Sequence, residues 1–190
     1  MYKKLASMTT NYYIKRGIIN ESKHDVYCYG FEVFLSTLVY TIIFIVTAII
    51  SKTLVQSLLF WLGFFIIRKI CGGYHAKTYW SCHLIFFTNH IIFIVLYKHL
   101  PGSLFNLLSL VCLLISSILI FLFAPIAPPN KPFIKNERGR FRKYSCVYSV
   151  LLLLLLLLKL FIPVVNNNTF SFSIGSFSAA IALLLGKYIK

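Results

Sequence analysis

The segment Arg68-Lys69-Ile70-Cys71-Gly72-Gly73-Tyr74-His75-Ala76-Lys77-Thr78-Tyr79-Trp80-Ser81-Cys82-His83 packs two cysteines, two histidines and a Gly-Gly pair into 16 residues. A thiol served by an imidazole is a pairing for nucleophilic catalysis: the imidazole takes the thiol proton and the sulfur attacks a carbonyl. Cys82 with His75 is the candidate pair, and Lys77 and Arg68 are nearby cations that favour a thiolate. The spacing imposes a condition. Seven residues along one helix would part the two groups by ~10.5 Å, at ~1.5 Å per residue, whereas proton transfer needs ~3 Å. The pair works only if the chain folds back between them. Gly72 and Gly73 can supply a turn before His75. Ser81 can cap the helix that then carries Cys82 in its first turn, where the helix dipole favours negative charge on sulfur.

Other uses of these residues stay open. His75 and Cys82 can be packing residues at a membrane interface. Cys71, His75, Cys82 and His83 can be tried as a zinc set, but their spacing matches no usual ligand pattern, so no metal is expected. Cys71 is four residues from His75 and competes as nucleophile. Cys28, Cys112 and Cys146 read as structural, and five cysteines form no regular disulfide framework. His90 reads as a satisfied histidine inside a helical bundle, and His24 and His99 as interfacial. A second polar region runs Ala124-Pro125-Ile126-Ala127-Pro128-Pro129-Asn130-Lys131-Pro132, followed by Glu137 and a basic run from Arg138 to Lys143. Its prolines end a helix and stiffen an extended connection. Lys131, Arg138 and Arg140 are candidates for binding an acidic peptide; the basic run serves equally well as a cytoplasmic anchor.

Composition fixes what must position these groups. The chain has 190 residues, 59% hydrophobic and 12% charged, and a mean hydropathy of +0.83. Soluble domains carry about 25% charged residues. So few charges exclude an ordinary soluble globule and a disordered chain, and predict an all-α integral membrane protein. Six apolar stretches are long enough to cross a bilayer: 31–50, about 53–67, about 81–96, 104–124, 144–162 and about 170–185. Only Ser51 and Lys52 part the first two, which makes a tight helical hairpin. The run Leu151 to Leu158 is eight leucines and reads as lipid-facing helix. With six spans and both termini cytoplasmic, sixteen of the nineteen Lys and Arg residues fall inside, leaving Lys52, Lys98 and Lys159 outside. The formal charge of +15 is thereby assigned to lipid headgroups and orientation, not to nucleic acid. The first apolar run begins near residue 31, too late for a signal-peptide core, so no cleaved leader is expected.

The chain therefore reads as one membrane domain, 1–190, with a bundle over 31–185 and cytoplasmic loops over 68–83 and 125–143. Residues 1–30 form a cytoplasmic or interfacial segment. Leu5, Met8 and Tyr12 recur there at helical spacing among Lys3, Lys4, Lys15 and Arg16, as in an amphipathic helix lying on the membrane surface; a solvated basic tail fits as well. Small residues Gly175, Ala179, Ala180 and Ala182 in the last span are compatible with a homodimer.

Arg68, Gly72-Gly73, His75-Ala76 and Cys82, with Ala124-Pro125 and Asn130-Lys131-Pro132, resemble the signature of the accessory gene regulator B (AgrB) family. The resemblance extends to length, hydropathy and the basic second loop, and so to nearly the whole chain. It implies a membrane cysteine endopeptidase of bacterial quorum sensing, active on the cytoplasmic side of the cell membrane and needing no cofactor. It implies a short pro-peptide substrate with an acidic C-terminal tail, matured to a cyclic autoinducing peptide. On the same basis Cys82 is the nucleophile and His75 the general base and acid. Arg68 and Gly73, with the adjacent Gly72, support the site, and Lys131 handles substrate. A small peptide exporter or a non-enzymatic membrane scaffold would share the hydropathy, but neither employs the Cys82–His75 cluster.

Overall fold

The structure, a computed structural model, describes residues 2–74, 78–127, 133, 137–161 and 167–188. Among these, seven α-helices follow one another: α1 (Tyr2–Lys15), α2 (His24–Ile50), α3 (Leu54–Cys71), α4 (Tyr79–His99), α5 (Ser103–Phe123), α6 (Glu137–Phe161) and α7 (Asn167–Tyr188). The six from α2 onward are long and apolar enough to cross a membrane, as the sequence predicts. Their backbone groups pair within each helix, which is what hydrocarbon demands of a chain it surrounds.

The helices outrun the apolar stretches that announce them. Helix α2 starts at His24, seven residues before Phe31, and is 27 residues long. At ~1.5 Å per residue that is ~40 Å, against ~30 Å of hydrocarbon. Helix α6 starts at Glu137, so Arg138 and Arg140 lie in its first turn and not in a loop. The acidic Glu137 sits where the helix dipole favours a negative charge.

Helix α1 ends in a Schellman motif. Gly17 (φ 70) takes the left-handed conformation, its N–H donates to the Ile14 carbonyl, and Ile18 N–H donates to that of Tyr13. After a short 3-10 turn at Glu21–Lys23 the chain doubles back, with Tyr13 stacked on Phe31 of α2 at 5.8 Å. Ala6 and Thr10 are buried, while Leu5, Met8 and Tyr12 face outward. A helix therefore forms where the sequence allowed either a helix or a solvated tail.

The α2–α3 hairpin is as tight as expected. Lys52 turns the chain with φ 57, and Thr53 N–H closes on the Ala48 carbonyl at 2.9 Å. Hydroxyls continue inward, Ser51 to Thr53 and Thr53 to Ser57, and end at His90, whose Nε2 lies 3.0 Å from Ser57 Oγ.

Small polar residues are interspersed through an apolar interior, and the exterior is aliphatic. Ser57, Ser109, Ser116, Ser145, Ser171 and Ser176 are buried, whereas of Leu151–Leu158 only Leu152 is buried. Helix α7 is the central staff, packed between α3 and α5, with α6 against α5. One apolar cluster joins Ile67, Leu113, Ile120, Leu152 and Leu183. A second, toward the other end, joins Phe60, Phe93, Phe105 and Phe170. Helices α3 and α7 approach through glycine: a Cβ on Gly175 would strike the Phe60 carbonyl, and one on Gly63 the Phe172 carbonyl. Gly175, Ala179 and Ala180 are thus occupied by packing inside the chain, and their smallness needs no second copy to explain it. Helices α5 and α6 are joined by a reciprocal serine clasp, Ser117 and Ser149 each donating to the other's carbonyl at 2.9 Å.

Candidate active site

Five helix ends meet at one end of the bundle. Helix α3 stops at Cys71 because Gly72 (φ 75) and Gly73 (φ 118) follow in conformations that side chains rarely tolerate. The freed backbone is paired on three sides. Toward α5, Ile126 N–H donates to the Cys71 carbonyl at 2.9 Å and Gly73 N–H to the Ile126 carbonyl at 3.4 Å, a short parallel bridge. From α3 itself, Arg68 forks over the turn, Nη1 to the Gly72 carbonyl at 3.0 Å and Nη2 to the Tyr74 carbonyl at 2.6 Å. From α7, the Ala182 carbonyl accepts Tyr74 N–H at 2.8 Å. A Cβ on Gly72 would collide with the Ile126 carbonyl, and one on Gly186 of α7 with the Tyr74 nitrogen. The Gly-Gly pair is therefore a backbone crossing point that admits no side chain.

His75, Ala76 and Lys77 lie outside the described residues. The chain re-enters at Thr78, which caps α4: its Oγ1 accepts Ser81 N–H at 3.2 Å. The sequence offered Ser81 for that role. Thr78 takes it because it is the last extended residue (φ −127, ψ 152), which leaves Ser81 three residues inside the helix. Cys82 is in the first turn as expected, its N–H donating to the Thr78 carbonyl at 3.1 Å. It is half-buried and interacts electrostatically with Arg68 and with Tyr40 of α2. Next to it, His83 stacks on Tyr40 with centroids 4.7 Å apart.

The structure thus brings Arg68, Gly72, Gly73 and Cys82 to one place. Cys71 is elsewhere: it is fully buried, with Ser145, Cys146 and Tyr148 of α6 as its electrostatic neighbours. A buried thiol facing α6 is poorly placed to compete with Cys82, or to share a metal with it. His90 is enclosed by Phe44, Phe60 and Phe93, with its Nε2 3.0 Å from Ser57 Oγ; it lies inside the bundle as expected but is only half satisfied, since its Nδ1 has no partner among the described residues. Lys131 lies outside the described residues. Arg138 lines an open cavity of about 460 Å³ with Leu122, Phe123, Pro125 and Arg142, and Arg140 is exposed nearby.

Several contributors carry no local signal. Arg142 was one cation in a basic run, yet its guanidinium donates to the Ala124 carbonyl and lies over the Phe121 ring. Ala182 and Gly186 are ordinary residues of an apolar helix, and Tyr40 one aromatic among many. Their parts come from contacts 18 or more residues away in sequence, which helical spacing does not encode.

The sequence profile of one family, accessory gene regulator B (AgrB), matches residues 6–185. Among relatives, the chain is 26% identical over 130 residues to Protein FsrB of Enterococcus faecalis, covering 66% of this chain and 52% of that one. It is 27% identical over 127 residues to Accessory gene regulator protein B of Staphylococcus haemolyticus, covering 65% of each. An AgrB-like protein of Listeria innocua is 24% identical over 125 residues, with 66% and 60% covered. These alignments span about half to two thirds of the relatives' own length. No solved structure matches significantly. With six membrane-spanning helices, a Gly-Gly crossing beside a cysteine at a helix start, and a profile covering nearly the whole chain, the protein belongs to the accessory gene regulator B family.

Proposed function

We propose that the protein is a membrane cysteine endopeptidase of a quorum-sensing system, cutting the C-terminal tail from a short pro-peptide. The observation that carries this reading is the break between α3 and α4. Helix α3 ends at Cys71 and α4 begins at Tyr79, so Cys82 stands in the first turn of a helix that begins after position 75, and the ~10.5 Å separation along one continuous helix is not imposed on the pair. Tyr74 is pinned to α7 and Thr78 to the start of α4.

In this mechanism His75 takes the Cys82 proton and the sulfur attacks the carbonyl before the tail. His75 then protonates the departing amine. The product is a thioester between Cys82 and the remaining peptide. A thiol or hydroxyl within that peptide attacks the thioester, its proton passing through His75 to the departing Cys82 sulfur as the C–Sγ bond breaks, and a thiolactone or lactone closes. The thioester keeps much of the cleaved bond's reactivity, so ring closure needs no nucleotide. Arg68 contributes twice, holding the turn and placing a cation near the sulfur. Lys131, Arg138 and Arg140 are assigned to an acidic peptide tail. Sixteen of nineteen basic residues lie toward one side in a six-span arrangement, which supports a cytoplasmic site and cytoplasmic termini.

Intact mass spectrometry of the bilayer-embedded protein, mixed with the short pro-peptide encoded beside it, tests the reading. Wild type is expected to release the tail and to carry an acyl adduct on Cys82. Cys82→Ala should show neither, and His75→Ala should cut at least about 100-fold more slowly. Tail release that persists in Cys82→Ala overturns the assignment of nucleophile, and no cleavage by folded wild type overturns the enzyme.

A further inference from the structure

Attack by Cys82 places negative charge on the substrate carbonyl oxygen, and a hydrogen-bond donor aimed at that oxygen lowers the barrier. The nearest backbone donors are already engaged. Cys82 N–H is bonded to the Thr78 carbonyl at 3.1 Å and Ser81 N–H to Thr78 Oγ1 at 3.2 Å. A side-chain donor can add to whatever the first amides of α4 provide.

Tyr40 meets the requirements. Its ring is clamped between two others, stacked on His83 at 4.7 Å and 11° and edge-on to Phe86 at 5.4 Å and 74°. Its hydroxyl is buried and has no hydrogen-bond partner among the described residues. Buried hydroxyls in folded proteins are nearly always bonded, so an idle one calls for an explanation. The group lies within electrostatic range of the Cys82 thiol, and its ring is held by the residue that follows the thiol in sequence. A rigid, idle donor beside a nucleophile is what a developing oxyanion needs.

We propose that the Tyr40 hydroxyl is an oxyanion donor for acyl transfer at Cys82, with His83 as the residue that positions its ring. The proposal rests on the endopeptidase reading. As the Sγ–C bond forms, the carbonyl electron pair moves onto oxygen and accepts the Tyr40 O–H, with no proton transferred. On collapse the pair returns, the C–N bond breaks, and the base hands its proton to the departing amine. Tyr40 therefore acts on the carbonyl and not on the thiol.

That division gives the test. Acylation of a thiol by p-nitrophenyl acetate passes through an oxyanion, whereas alkylation by iodoacetamide does not. Both rates are read at Cys82 by site-resolved mass spectrometry on the full chain in bilayers, for wild type and Tyr40→Phe, a change that keeps the ring stack. Tyr40→Phe should slow acylation by at least tenfold and leave alkylation within about twofold. Unchanged acylation overturns the proposal. So does equal slowing of both reactions, which would make Tyr40 an activator of the thiol or a packing residue. Pro-peptide cleavage by wild type and Cys82→Ala is followed in parallel: no cleavage by wild type sinks the endopeptidase reading, and persistence in Cys82→Ala moves the nucleophile elsewhere and removes Tyr40's role with it. Loss of cleavage in Cys82→Ala, together with acylation by Tyr40→Phe at the wild-type rate, removes Tyr40 alone.

Discussion

Arg68 shows how much one side chain can do at a helix end. Its two donors span the carbonyls of Gly72 and Tyr74, a planar fork that a lysine ammonium cannot reproduce. Arg68→Lys should therefore keep the charge and lose the turn, lowering peptide cleavage by about tenfold or more. Arg68→Ala leaves two carbonyls unpaired, at about 1–3 kcal/mol each where they are buried, and should lower thermal stability as well. Sequence reasoning found Arg68, Gly72, Gly73 and Cys82 because each is an odd residue type for a membrane segment. It gave Arg68 a supporting role in geometry or charge without naming the carbonyls it holds, because fork geometry depends on a turn whose shape only the folded backbone reveals. His83 was noticed only as a zinc ligand. Its Nε2 is buried without a partner among the described residues. If His75 is the base, His83→Gln should lower the cleavage rate much less than His75→Ala does; the reverse order would transfer the base to His83.

At the scale of helices, two glycine contacts set the geometry. Gly175 lets α7 touch the α3 backbone at Phe60, and Gly72 lets the α3 terminus touch Ile126. Gly175→Ala must push two helices apart, and overpacking of this kind costs about 1–3 kcal/mol, measurable as a lower unfolding midpoint in detergent. Gly72→Ala meets both a forbidden conformation, about 1–3 kcal/mol, and a collision with the Ile126 carbonyl. It should abolish cleavage while all six spans still insert, read by protease protection of the inserted chain. The spans themselves were legible because hydrocarbon imposes ~20 apolar residues on any crossing helix. Their ends were not, because a helix continues past the hydrocarbon wherever its backbone can, as α2 does through Tyr27 and Gly30 and α6 through Arg138 and Arg142. Nor could the sequence say which neighbour the small face of α7 would meet, and that face turned inward, to α3.

For the whole molecule, charge and helix count make one joint statement. Six crossings return the chain to the side it left, and the end that holds the candidate site collects Arg68, Arg142 and Lys187, the last over the Phe123 ring at 4.3 Å. In a cysteine-free background, Lys98→Cys should react with a membrane-impermeant maleimide added to intact cells, and Lys143→Cys only after permeabilisation. The opposite pattern would turn the site to the outside and remove it from a pro-peptide made in the cytoplasm.

The bond from Tyr74 N–H to the Ala182 carbonyl also has a bearing on the protein's manufacture. The carbonyl that holds the Gly-Gly crossing is supplied by α7, made about a hundred residues after the amide it receives. At ~5–20 residues per second, that amide, which follows the second span, stays unanswered for several seconds while the next three spans are made. A nascent chain halted before α7 would own its cysteine and lack the scaffold that aims it. On the endopeptidase reading, a copy whose α7 is still unmade would not yet consume pro-peptide.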